Sequence, residues 1–353
     1  MRKTIVYLVL LAVLAACIWY ISHRNNDMFD NDEAGFTIRD TAAVGKIFLA
    51  HTDGRSVLLE RTPEGWRVNK EYKAMSAPVD QLLKTLYRQV ADYPVPESQH
   101  NLAVKHLSGN STKVELYDRR GKKMRVFYVG DEAGKLGTYM LMEGAKRPYV
   151  VNIPVFQGGL TSRYSPDIKD WRDRTVFRIA AEDITEISVQ YVDEPLNSFI
   201  MRRDGAQVSV ILDSSLGAPG TLNTSRVQRY LGFFTNVSCE GFTNGQTWMD
   251  SVLRTVPRRC IIDVKGKDGY TQHLTVFWRP LYRRSKNLST PVPGYRNEYD
   301  ADRYYAVFNN NRDTAVIQQF VFDKIFRNGY EFYQQDQTTM PAPDTAVLHD
   351  HLH

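Results

Sequence analysis

Phe36-Thr37-Ile38 followed by Ile47-Phe48-Leu49, and Phe177-Arg178-Ile179 followed by Ile187-Ser188-Val189, decide the fold, because the chain carries this opening twice. The copies continue in step. Gly65-Trp66-Arg67-Val68 is matched by Gly205-Ala206-Gln207-Val208, and the stripe Val79, Leu82, Leu83, Leu86 by Val227, Tyr230, Leu231, Phe234. Gly121 with Val126 and Tyr128 is matched by Gly269 with Leu274 and Val276. Tyr139, Val150-Val151 and Val155-Phe156 are matched by Tyr304, Val316-Ile317 and Val321-Phe322. Order and spacing are kept apart from insertions in the second copy, which reads as a duplicated domain.

Within the first copy, alternation and β-branched or aromatic content predict strands around Phe36-Ile38, Ile47-Ala50, Val57-Glu60 and Trp66-Asn69. A helix follows, with Ser76 as N-cap, Pro78 in the first turn and Val79, Leu82, Leu83, Leu86 and Val90 on one face. Hairpins are predicted at Lys113-Tyr117 with Met124-Val129 and at Tyr139-Met142 with Tyr149-Asn152, and a short closing helix from Val155 to Leu160. The second copy repeats the order. The expected class is α+β: two tandem homologous repeats, each a mainly antiparallel sheet with one principal amphipathic helix packed on it, after an N-terminal transmembrane helix. The expected divisions are residues 1–24 as transmembrane signal anchor or lipoprotein signal, 25–35 as linker, 36–170 and 171–333 as repeats, and 334–353 as a polar, disordered tail.

The first segment bears on the compartment. Arg2 and Lys3 precede an uncharged run from Thr4 to Ser22, closed by His23 and Arg24. At the helical rise the run spans about 28 Å, near the hydrocarbon thickness of a bilayer. Basic residues before it and acidic Asp27, Asp30, Asp32 and Glu33 after it place the N-terminus in the cytoplasm and the body outside. The competing reading is a lipoprotein signal, Leu14-Ala15-Ala16-Cys17, with lipidation at Cys17. The apolar Ile18-Trp19-Tyr20-Ile21 beyond the cysteine favours the uncleaved anchor. Either way the body lies outside the cytoplasm; the anchor reading puts it on the periplasmic side of an inner membrane.

A net charge of +5 spread along the chain does not point to a nucleic-acid binder. Cys239 and Cys260 are candidates for a disulfide in an oxidising envelope; two buried free thiols are the alternative. No nucleophile elbow, zinc helix, phosphate loop or dinucleotide fingerprint occurs, so no catalytic residue, metal or cofactor is assigned. His349, His351 and His353 alternate in the tail, where a loose tip is favoured over a metal site.

Three stretches stand out as candidate surfaces. The connector from Tyr164 to Arg174 crowds Asp170, Trp171, Arg172, Asp173 and Arg174 together. It reads either as a carboxylate pair or arginine clamp in a cleft, or, preferably, as a tryptophan plug with self-satisfied charges. The second copy also carries an insertion between Trp278 and Arg303, with Arg279, Tyr282, Arg283, Arg284, Lys286, Tyr295 and Arg296. A long basic loop rich in Tyr and Pro suits contact with an acidic protein surface, a glycan or a lipid phosphate; a solvated excursion is the alternative. Arg119, Arg120, Lys122, Lys123 and Arg125 cluster on a hairpin and read as a solvated tip.

The membrane span, Trp66-Arg67-Val68 before a helix, and Trp171-Arg172-Asp173-Arg174 before Phe177 and Ile187 resemble the bacterial membrane-anchored domain-of-unknown-function 4340 family. The resemblance runs from about Phe36 to Tyr333. Domains of that family also occur fused to, or encoded near, accessory subunits of gliding-motility-type ABC transporters. The resemblance implies an envelope protein, from a Bacteroidota-like bacterium, with a transporter-linked role, and it carries over no catalytic residue. The expectation is therefore a non-enzymatic, membrane-anchored accessory or scaffold protein that binds another envelope component, an ABC transporter subunit among the candidates. The alternatives are a glycan- or peptidoglycan-fragment-binding module using Trp66, Trp248 and Trp278, and, third, a hydrolase with a junctional Asp170 or Asp173.

Overall fold

The computed structural model describes residues 34–134, 137–216 and 220–334. The apolar run with Cys17, most of the linker, and the tail with His349, His351 and His353 lie outside the described residues. Among the described residues no helix is long and apolar enough to cross a membrane. Contacts divide the chain into two compact units, Met1–Asp173 and Arg174–His353. Each is a mixed helix and sheet structure with antiparallel pairing throughout, which places the protein in the α+β class.

In the first unit the elements run β1 (Val44–His51), β2 (Ser56–Thr62), β3 (Gly65–Val68), β4 (Tyr72–Lys73), α1 (Ser76–Arg88), β5 (Val90–Pro94), α2 (Glu97–Gly109), β6 (Thr112–Asp118), β7 (Lys123–Glu132), β8 (Thr138–Met142) and β9 (Tyr149–Asn152). The sheet order is β4-β3-β2-β1-β6-β7-β8-β9-β5. Alternation puts Ile47, Leu49, Leu59, Val114, Leu116, Phe127 and Val129 into one core with Val79, Leu82 and Leu86 of α1. Each such side chain contributes roughly 1.5–3 kcal/mol by leaving water. Phe36 meets Phe127 edge-on at 5.8 Å. Where α1 ends, buried Gln89 donates to the Phe36 carbonyl at 2.8 Å and accepts from the Tyr164 hydroxyl, so the chain entering the unit is tied to the helix end. The second helix, α2, packs on β7 and β8, burying Ala103 near Val95 and Val150.

The second unit runs β10 (Thr175–Phe177), β11 (Ile184–Tyr191), β12 (Phe199–Asp204), β13 (Gln207–Ile211), α3 (Thr224–Gly232), β14 (Val237–Ser238), β15 (Gly241–Phe242), α4 (Met249–Thr255), β16 (Arg258–Gly266), β17 (Thr271–Pro280), β18 (Tyr299–Phe308), β19 (Asp313–Gln318) and α5 (Gln319–Phe322). Its sheet order is β13-β12-β11-β16-β17-β18-β19-β15, and β10 pairs with β14. Asn223 caps α3 by accepting from the Arg226 amide at 3.1 Å, and Val227, Tyr230, Leu231 and Phe234 enter the core. Helix α4 packs Met249 against Phe277, Tyr305 and Val307.

Apart from β4, the two strand orders are the same connection by connection. Finer features also coincide. The first strand of each sheet carries a register shift, at Val44/Lys46 and at Ile184/Glu186. The Ile38 amide donates to Leu86 at 2.8 Å, and the Ile179 amide to Phe234 at 3.1 Å. The Thr52 amide donates to Ser111, as the Val192 amide does to Arg259.

Several sequence expectations need correction. Pairing aligns Leu59 with Val68 and Met201 with Val210, so the partner of Val68 in the second sheet is Val210 rather than Val208. Gly65 pairs with Thr62 at the start of a strand, whereas Gly205 lies in the turn between Asp204 and Gln207, which offsets the two hairpins by two residues. Likewise Val114 opposes Phe127 and Ile262 opposes Leu274, so Phe127 and Val129, not Val126 and Tyr128, match Leu274 and Val276. A register shift between Leu116 and Tyr117 causes the slip, and one residue in a strand exchanges faces. By the same ladder Thr138, not Tyr139, stands where Tyr304 stands. Each unit has a second helix, α2 or α4, whose apolar stripe is too narrow to stand out. Met75, not Ser76, occupies the N-cap position of α1, with no side-chain cap. Residues 155–160 form no helix: Val155 sits at φ 69° and is fully exposed, and a 3-10 turn follows at Thr161–Tyr164. Trp171, assigned to the second repeat, is buried in the core of the first unit.

Candidate functional site

The inserted segment leaves β17 at Pro280 and rejoins the sheet at Tyr299, where the first unit links β7 to β8 through 133–137 alone. A segment of this length without regular structure needs buried polar anchors, because its backbone groups have no ladder. Asp300 is the first anchor. Its fully buried carboxylate accepts from the Ser285 hydroxyl at 3.1 Å and the Asp302 amide at 2.9 Å, and lies 3.5 Å from Arg279 Nη1. Asn287 is the second, donating to the Tyr299 carbonyl at 2.6 Å and accepting from the Ala301 amide at 3.1 Å. Asn297 is the third, accepting from the Val292 amide at 2.8 Å and donating to the carbonyls of Val292 and Tyr295 at 3.1 Å. The insertion is thus a braced surface element.

Its cations divide into two sets. Arg279 lies 3.9 Å over the Tyr282 ring besides its contact with Asp300. Lys286 pairs with Asp302 at 3.1 Å, and Arg296 pairs with Asp193 at 2.6 Å and Glu298 at 2.8 Å. The ion pairs and hydrogen bonds raise the Arg296 pKa above its ordinary value. Arg283 and Arg284 are exposed and held by no ion pair among the described residues. Tyr295, in the same loop, is 41% exposed. Of the seven residues singled out in this insertion, then, Arg283, Arg284 and Tyr295 are exposed without an ion pair among the described residues, Arg279, Lys286 and Arg296 pair with acids at or beyond the ends of the loop, and Tyr282 lies against Arg279.

The connector residues are structural neighbours of the first unit's edge strand. Asp170 accepts from the Ser165 hydroxyl at 2.5 Å, and Trp171 Nε1 donates to the Ser165 carbonyl at 2.9 Å. Buried Arg172 stacks 3.7 Å over Tyr72, and the Asp173 amide donates to Lys73 at 2.8 Å. Arg174 belongs to the second unit, donating to the Glu240 carbonyl at 3.0 Å.

Cys239 and Cys260 are both buried, and no disulfide joins them. Desolvation pushes the Cys260 pKa up to about 12, which leaves it protonated and unreactive in the folded chain.

One further arrangement has the polar order of a nucleophilic relay. On one face of the second sheet His273 Nδ1 lies 2.7 Å from Asp263 and Nε2 lies 3.0 Å from the Thr275 hydroxyl. In the tautomer where Nδ1–H donates to the Asp263 carboxylate, Nε2 accepts from the Thr275 hydroxyl. A nucleophile also needs donors aimed at a developing oxyanion. Thr275 is buried in a strand paired on both sides, with Ile261 and with Val307, so the nearby backbone amides serve the sheet. Cross-strand pairing explains the cluster, since Asp263 directly opposes His273 and Thr275 follows two residues on. No group of three His, Cys, Asp or Glu that could hold a metal ion occurs among the described residues.

A family model described as Domain of unknown function (DUF4340) matches residues 66–252, just over half of the chain. No curated protein and no solved structure matches it.

Proposed function

We propose that this chain, which belongs to the DUF4340 family, is a membrane-tethered accessory protein whose body docks another component of a bacterial envelope. The apolar run from Thr4 to Ser22 supports a single span with the body in the periplasm, with lipidation at Cys17 as the alternative tether. The shared strand order and matching register shifts support two copies of one module derived by duplication. The observation that carries the docking reading is the braced insertion. Buried Asp300 and Asn287 hold it in one shape, while Arg283 and Arg284 are exposed and form no ion pair among the described residues. Such an arrangement loses little conformational entropy on binding an acidic surface. A subunit of an ABC transporter is the candidate partner that the family resemblance suggests. The proposal assigns no catalytic residue.

In-cell crosslinking and mass spectrometry of the membrane fraction tests this reading. The wild type is expected to capture one recurrent envelope partner, and Arg283→Ala with Arg284→Ala to lose it while the chain stays folded. Undiminished capture by that double variant would reject the loop as the contact. Palmitate labelling that depends on Cys17 would replace the span by a lipid anchor.

A further inference from the structure

Two bulges flank Trp278. The ladder of β16 with β17 shifts between Arg258 and Cys260, and that of β17 with β18 shifts between Trp278 and Pro280. Arg259 is therefore the extra residue of the first bulge, the local device by which a strand re-aims a side chain, while at the second Arg279 stands opposite the four residues 300–303 of β18. Their environments differ in one respect. Arg279 faces the buried Asp300 carboxylate. Arg259 faces aromatic rings alone: its guanidinium lies 4.1 Å from the centre of Phe326, 4.7 Å from Tyr304 and 5.4 Å from Trp278. Among the described residues no carboxylate pairs with it, and its buried Nη1 has no hydrogen-bond partner. Ring faces attract a cation but offer no acceptor for its N–H groups. A buried guanidinium N–H lacking an acceptor is costly to the folded chain, and an acceptor brought by a ligand would satisfy it.

The scaffold does not itself call for an arginine there. At the same register position of the first sheet, where the Thr52 amide bonds as the Val192 amide does in the second, stands Ser111. The insertion, moreover, closes on the same spot. Arg296 stacks over Trp278 at 5.2 Å and over Tyr299 at 5.3 Å, and both Arg296 and Trp278 Nε1 donate to Asp193, at 2.6 and 2.8 Å. Asp193 thus fixes the tryptophan and the second arginine beside Arg259.

We propose that Arg259, walled by Trp278, Tyr304 and Phe326 and flanked by Arg296, anchors a binding site for a monocarboxylate with an apolar body. The rigid planar fork of a guanidinium matches the two side-by-side oxygens of a carboxylate. Arg296 is already engaged by Asp193 and Glu298, whereas Arg259 is paired with no carboxylate among the described residues, so its one fork is left for one carboxylate. The surrounding rings suit an apolar group attached to the carboxylate. This site stands independently of the docking reading, because it binds a small ligand with no protein partner present.

Calorimetric titration of the detergent-solubilised full chain tests it, using N-acetylphenylalanine as probe, its amide as the uncharged match, and inorganic phosphate. The acid is expected to bind at least about tenfold more tightly than the amide, the scale of charge-assisted hydrogen bonds. Arg259→Lys keeps the charge but not the fork and is expected to lose about tenfold; Arg259→Met is expected to abolish binding of the acid. The ligand-free Arg259→Met protein should melt no lower than the wild type, since it loses an unpaired buried donor. Absence of binding by the wild type, equal binding of acid and amide, tighter binding of phosphate, or an Arg259→Lys variant that binds as the wild type does would each overturn the assignment.

Discussion

Asp300→Ala removes the carboxylate on which the insertion is built, and its effect can be worked from the contacts. Two hydrogen bonds to a buried charged acceptor disappear, from the Ser285 hydroxyl and the Asp302 amide. At about 1.5–3 kcal/mol each these amount to roughly 3–6 kcal/mol. Arg279, with only 15% of its side chain exposed, also loses its counterion, and breaking a buried pair from one side costs about 3–5 kcal/mol. The two routes describe the same carboxylate and are not additive; both converge on about 3–5 kcal/mol. Hydrogen exchange with mass spectrometry reads this locally, on peptides spanning 285–302. A loss of protection of about a hundredfold or more is expected, with exchange in the first unit unchanged. Combining Asp300→Ala with Arg279→Met should recover part of the loss, because the stranded cation is gone as well. Loss of protection below about tenfold would show that the loop holds its shape without Asp300, and the account of it as a braced element would fail.

Phe127→Ala should destabilise the first unit by about 3–5 kcal/mol in thermal or urea unfolding, whereas Tyr128→Ala, one residue along and on the other face, should cost far less; equal losses would refute the register described for β7. Cys260, raised to about 12 against an ordinary value of 9.0, ionises first in the unfolded chain, so its contribution is complete below pH 9 and falls as pH rises from 9 toward 12. The folded protein should accordingly resist iodoacetamide at pH 8, and prompt alkylation of Cys260 without unfolding would contradict its burial. Val155→Gly should raise the melting temperature slightly, by the equivalent of up to about 1 kcal/mol, since a fully exposed β-branched residue at φ 69° gains nothing from packing. A fall in stability there would mean that Val155 is held by contacts.

The strands were largely legible because their signal is local. Ile47, Leu49, Leu59, Val114 and Leu116 alternate as a half-buried strand must, and all point into one core. The α1 stripe was equally plain, with Val79, Leu82 and Leu86 buried on one side. Helix α2 was not, since only Ala103 and Leu107 among its residues are buried and its neighbours are polar. The insertion was visible as an excess of residues in the second copy, but its cations looked alike. Nothing local distinguishes Arg279, set against buried Asp300, from Arg283 and Arg284, which are exposed.

What the chain by itself determined is the α+β class, the order of most strands, and the two places where polar residues gather outside regular structure. These follow from periodicity, which acts over a few residues. The tertiary structure decided everything that depends on which strand lies beside which. It set the shifted register that puts Phe127 rather than Val126 in the main core of the first unit, and it placed Trp171 in that core too. It also brought Arg259, Trp278, Tyr304 and Phe326 around one point from stretches nearly seventy positions apart. A bulge moves a side chain to another face without altering composition or spacing, so Arg259 reads as an unremarked strand residue until the ladders are known.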